Sequence, residues 1–183
     1  TNPYFPAVDS ISDLWLDAND YSKLALATGV SQVNDKSYNN RHVAQSTSTS
    51  QPALIQNAQN RLMALSFDGG DFLATSSNFP ITGNPEFSVF WVHTKTTPTQ
   101  GCVWGWGLHS SALQCVGLYD DNSSAQIAYS GGNSYFTSSI PAGFNIWEYI
   151  KSSGAISTTS ILTKNDADAG TTGHSTSTPN IVG

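Results

Sequence analysis

Charge is what this 183-residue chain has least of. Asp, Glu, Lys and Arg make up 11% of it, against roughly a quarter in an ordinary soluble protein. Lys and Arg together number seven, scattered from Lys23 to Lys164, and the net charge is −6. Phosphate binding needs clustered cations, so nucleic acid is excluded as a partner. Long apolar runs are missing too: none approaches the ~20 residues that span a bilayer, no secretory leader is visible, and no membrane insertion is expected. Apolar residues at helical spacing are equally scarce. The nearest, residues 21–27, is too short and runs into Gly29. Methionine occurs once, at Met63, and the chain opens on Thr1, so the expectation is a processed product or a fragment of a longer precursor.

Only two cysteines are present, Cys102 and Cys115. If residues 107–111 turn a hairpin, Cys102 faces Gly117 or Leu118 and Cys115 faces Trp104 or Gly105. Bridging needs Cα atoms within about 7 Å, so that register favours two buried thiols; one shifted by two or three residues would allow a disulfide. Glutamate is as scarce, with Glu86 and Glu148 alone and neither near an acid at i±2. Glycoside hydrolysis needs a facing carboxylate pair, and a serine nucleophile has no G-x-S-x-G to sit in. The four histidines, His42, His93, His109 and His174, lack metal-ligand spacing. His93 reads as a core-edge residue, His174 as part of a solvated Ser/Thr loop. A non-enzymatic protein is expected.

What is abundant is Ser, Thr, Asn and Gly in short turns between short apolar or alternating runs, the pattern of an all-β sandwich. The runs are 14–16, 63–67, 87–93, 103–106, 114–119, 126–129, 134–137, 146–151 and 160–163. Gly131-Gly132 supplies a tight type I′ turn that sets Tyr129 opposite Ser134. Both faces of 87–93 are largely apolar, which predicts an interior strand covered on both sides. Residues 46–50 and 170–178 read as solvated loops. The whole reads as one domain, 1–183, because no Pro- or Gly-rich linker divides it.

The order of the pieces carries more. L-W-L-D-A-N-D at Leu14 to Asp20 is followed by V-S-Q-V-N-D-K-S-Y-N-N at Val30 to Asn40, Q-P-A-L at Gln51, L-S-F-D-G-G-D-F-L at Leu65 and F-S-V-F-W-V at Phe87. Together, over residues 10–92, they resemble the laminin-G-like branch of the concanavalin A-like lectin/glucanase superfamily, found in phage, large-virus and bacterial surface proteins. The resemblance implies a two-sheet antiparallel jelly roll. Two departures stand out. The D-K-S turn continues as Ser37-Tyr38-Asn39-Asn40 instead of a Gly-rich segment, and no closing strand follows Pro179–Gly183, so a final strand is expected to be missing or supplied by a partner.

Three kinds of site remain open. Calcium takes Asp, Asn and backbone oxygens; Asp68 and Asp71 around Gly69-Gly70 are the best such pair, although acids at turns ordinarily cap backbone N–H groups. A glycan needs an aromatic platform beside polar groups, and Tyr119, Asp120, Asp121, Asn122 and Tyr135 are the candidate rim. Trp104 and Trp106 share a strand face and read as core before platform. Asn122-Ser123-Ser124 is also a glycosylation sequon. The leading expectation is a structural or adhesive module of a virion (capsid- or tail-associated) or a cell-envelope surface, its partners neighbouring structural proteins or glycans. A carbohydrate-binding module cut from a secreted polysaccharide-active protein is the alternative, and a hydrolase or lyase a distant one.

Overall fold

The computed structural model describes residues 12–76, 79, 81–95, 101–107, 115–120, 125–128, 134–135, 143–155, 160–165, 167–168, 173–174 and 180. Among them the regular structure is all β, in antiparallel pairs, apart from single 3-10 turns at Tyr21–Lys23 and Ser48–Ser50. No helix among the described residues is long and apolar enough to cross a membrane. The chain forms two compact units, Thr1–Asn78 and Phe79–Gly183.

In the first unit β1 (Leu24–Leu26), β2 (Val30–Val33), β3 (Val43–Ala44) and β6 (Ala74–Thr75) make one sheet in the order β1-β2-β3-β6, and β4 (Ala53–Gln59) pairs with β5 (Leu62–Ser66) as a hairpin. Val30, Val33 and Val43 are buried, with Leu24, Leu54, Leu65 and Leu73 packed on them. The β4–β5 turn carries positive φ at Asn60 and Arg61, the geometry of a type I′ turn. Leu14–Leu16 is not the strand that its alternation predicts. It lies as an extended segment tied to the turn after β2: the Trp15 N–H donates to Asp35 Oδ1 at 2.9 Å, and the Lys36 N–H donates to the Trp15 carbonyl at 2.8 Å. Leu16 is exposed, so the segment is not packed on both sides.

In the second unit β7 (Phe87–His93), β8 (Gly101–Gly107), β9 (Cys115–Asp120), β10 (Ala125–Ala128), β11 (Ser134–Tyr135), β12 (Asn145–Lys151), β13 (Ser160–Lys164), β14 (Ala167–Asp168) and β15 (Gly173–His174) form two sheets, β15-β11-β10-β9-β8 and β14-β13-β12-β7. They share one core. Val116 and Leu118 from the first sheet and Trp147, Tyr149 and Leu162 from the second are buried, with Phe87, Trp91, Trp104 and Trp106 against them. Trp91 stacks on Trp147 at 6.0 Å and 8°, and meets Trp104 edge-on at 5.6 Å. Trp104 and Trp106 are thus core residues. The indole N–H groups of Trp104, Trp106 and Trp147 meet no acceptor among the described residues, so ring packing holds this core.

Several expectations are corrected here. β7 pairs only with β12 among the described strands, and Phe90 and Val92 on its second face are open to solvent, so it is not an interior strand covered on both sides. Ser134 stands opposite Ile127 instead of Tyr129. That slip of two residues leaves each position on its expected face, because side chains alternate with period two; the Gly131-Gly132 turn itself lies outside the described residues. His174 sits in a strand, not a loop, while residues 46–49 are exposed as expected.

Candidate functional site

The five-stranded sheet of the second unit brings separated candidates together. Gln126 is the register partner of Tyr119 on one side and of Tyr135 on the other, so Tyr119, Gln126 and Tyr135 form one row across β9, β10 and β11. Leu118, beside Tyr119 on β9, is buried in the core. Asp120 closes β9 opposite Ala125 and Gly101. Asp121 and Asn122, with the sequon, lie outside the described residues, as does His109. Gln126 escaped the sequence reading, since only the register places it between the two tyrosines.

A bulge shapes the same sheet. Pairing of β8 with β9 shifts register between Cys102 and Trp104, so Val103 is an extra residue and alternation restarts behind it. Trp104 and Trp106 then point into the core, whereas Cys102 is exposed and its Sγ lies 3.6 and 3.7 Å from where a Cβ would stand on Gly105 and Gly117. Cys102 faces Tyr119 and Cys115 faces Gly107. This register is slipped by one to three residues from the expected one, which set Cys102 against Gly117 or Leu118 and Cys115 against Trp104 or Gly105, and the Cys102 thiol is exposed, not buried. A Cβ on Gly117 would come within 2.8 Å of the Trp104 carbonyl, so β8 and β9 approach closely here only because both positions are glycine.

Asp68 and Asp71 sit in an exposed turn after β5. Asp68 Oδ1 accepts the Gly70 N–H at 2.8 Å and Asp71 Oδ2 accepts the Asp68 N–H at 3.0 Å, with Gly69 at φ 101°. Both carboxylates are therefore used on their own backbone, as turn acids commonly are. Among the described residues no group of three His, Cys, Asp or Glu side chains is placed to hold a metal ion. Asp17 and Asp20 are spent likewise. Asp17 accepts the Asn19 N–H at 2.9 Å, and Lys36 Nζ reaches Asp17 at 2.8 Å and Asp20 at 3.2 Å while lying over the Trp15 ring. Hydrogen bonds from Ser22 and Lys36 hold the Asp20 carboxyl below its usual range. Burial alone would lower the Lys36 pKa, but its bonds to Asp17 and Asp20 outweigh that and raise it.

The keystone of this knot is Asp35, buried at the turn after β2. Its carboxylate accepts the N–H groups of Trp15, Ser37 and Arg41 at 2.9 Å each and the Ser37 hydroxyl at 2.6 Å. Burial pushes its pKa up, and these donors together bring it below the usual value. His42 accepts the Asp35 N–H at 3.1 Å. The D-K-S triplet that marks the family resemblance thus fastens the L-W-L-D-A-N-D segment, which makes it an architectural motif.

His93 is half-buried at the core edge, its Nδ1 accepting the Trp91 indole N–H at 2.9 Å. Glu148 lies between Phe90 and Thr163, and the Thr163 hydroxyl donates to it at 3.4 Å; the row continues to Asp168 on β14. Comparison of the chain with family models, with curated proteins and with solved structures finds no match in any of the three.

Proposed function

We propose that this chain is a non-enzymatic β-sandwich module of the concanavalin A-like, laminin-G-like kind, structural or adhesive in role, on the outside of a virion or a cell envelope. The observation that carries this reading is the outer face of the sheet β14-β13-β12-β7. There Phe90, Val92, Ile146 and Ile161 are 68%, 62%, 60% and 53% exposed. Val92 pairs with Ile146 and Ile150 with Ile161, on either side of the row Phe90–Glu148–Thr163, so the face is apolar around Glu148. Contiguous apolar patches mark interaction surfaces, and a neighbouring structural protein is the partner such a face suits. Against hydrolysis stands the placing of the acids of the first unit: Asp17, Asp20 and Asp35 are committed to Lys36 and to backbone N–H groups. Cross-linking mass spectrometry on the intact assembly that carries this chain tests the reading. Links from a photo-cross-linking residue placed at Phe90 to another structural protein are expected; links confined to the chain itself would overturn it.

A second reading, a carbohydrate-binding module, is favoured by the Tyr119–Gln126–Tyr135 row beside the side-chain-free floor of Gly105 and Gly117. Tyrosine and glutamine are residue types that offer a sugar stacking and hydrogen bonds, and the register makes these three neighbours. Binding on a glycan panel that Tyr119→Ala and Tyr135→Ala each abolish would establish it, and silence across the panel would remove it.

A further inference from the structure

Lys151 ends β12 on the core side, opposite Phe87, and is 1% exposed. Its ammonium donates to Asn84 Oδ1 at 3.3 Å, to the Gly154 carbonyl at 3.0 Å and to the Ser152 carbonyl. Among the described residues no carboxylate lies within ion-pair distance of it. A buried cation held by neutral oxygens alone is costly. Burial accordingly lowers the Lys151 pKa, with the charge of Glu86 acting the other way. A buried lysine that sheds its proton becomes a nucleophile, and the atom it already touches belongs to a carboxamide.

We propose that Lys151 and Asn84 form an intramolecular amide bond. The neutral Nζ adds through its lone pair to Cγ of Asn84, forming a C–N bond. The tetrahedral carbon then expels the original amide nitrogen, which leaves as ammonia after taking up the proton that Nζ gives away. Lysine amine plus carboxamide become secondary amide plus ammonia, so the step balances without oxidant, reductant or cofactor. The residue after Asn84 is Pro85, which has no N–H. The ordinary ring closure of asparagine onto the next backbone nitrogen is therefore blocked, leaving the lysine as the attacking group. The product ties the segment entering β7 to the end of its ladder partner β12 and removes the buried charge.

The experiment is intact-mass spectrometry of the full chain, incubated in its folded state as judged by circular dichroism. The wild type is expected one ammonia lighter than its sequence. Tryptic digestion should fail after Lys151 and yield one branched peptide pair joining that residue to Asn84. Lys151→Arg and Asn84→Ala should each appear at their own sequence mass, and Asn84→Asp should form the same bond with loss of water instead. A folded wild type that stays at full sequence mass overturns the proposal. So does an ammonia loss that maps to another asparagine.

Discussion

At the residue scale one carboxylate does the most. Asp35 takes three backbone N–H groups and a hydroxyl, so Asp35→Ala leaves buried donors without an acceptor and should cost about 2–4 kcal/mol, read from urea unfolding. Its folded pKa lies below the unfolded one, so the unfolded chain binds more protons between the two values. The contribution is therefore complete above the unfolded pKa and drains as pH falls through the folded one. Repeating the titration at about pH 6 and about pH 3 should show the wild type losing part of its advantage over the variant. Gly117 is the second such position. Gly117→Ala would press a methyl against the Trp104 carbonyl at 2.8 Å, and a loss of about 1–3 kcal/mol in thermal unfolding is expected. The knot around Asp35 was half legible in the sequence. D-K-S announces a turn, but that it grips Trp15 depends on a contact across twenty positions, which no local pattern encodes.

At the scale of elements, β12 was located because alternation there has one buried face, and β7 because its run is apolar on both faces. Alternation missed β1, β3, β6, β14 and β15, which are two or three residues long and so carry too short a period to see. It also missed β2 and the seven-residue β4, whose mostly exposed A-L-I-Q-N-A-Q run has no buried face to mark it. It misjudged β7 for the opposite reason: Phe90 and Val92 read as core, yet they form an open face. Replacing them tests that assignment. Phe90→Ser with Ile146→Thr should change stability by no more than about 0.5 kcal/mol per site, while a probe dye for exposed apolar surface should lose most of its binding. A large drop in melting temperature would mean the face is packed. The β4–β5 hairpin offers another check. Arg61 holds φ 67° without being glycine, a conformation costing roughly 1–2 kcal/mol, so Arg61→Gly should raise the melting temperature despite the added chain entropy.

At the scale of the whole molecule, the all-β class was readable from composition and turn spacing, whereas the candidate site was readable only in pieces. Tyr119 and Tyr135 are sixteen positions apart in the chain, and only the shared partner Gln126 makes neighbours of them. Cys102 was placed by its strand but not by its face, since a bulge shows no signature in a run such as G-C-V-W-G-W-G. The five tryptophans divide unevenly: Trp15 belongs to the first unit, and Trp91, Trp104, Trp106 and Trp147 belong to the second. The nearly parallel indoles of Trp91 and Trp147 therefore form a coupled pair of chromophores. Their transitions should mix and give the folded protein a two-signed ultraviolet dichroism band. That band should weaken in Trp91→Leu, which leaves the Trp104–Trp106 pair at 5.1 Å in place, and vanish whenever side-chain packing melts while strands persist. The core of the second unit thus carries its own optical gauge, which reports ring-to-ring order and is blind to the knot around Asp35.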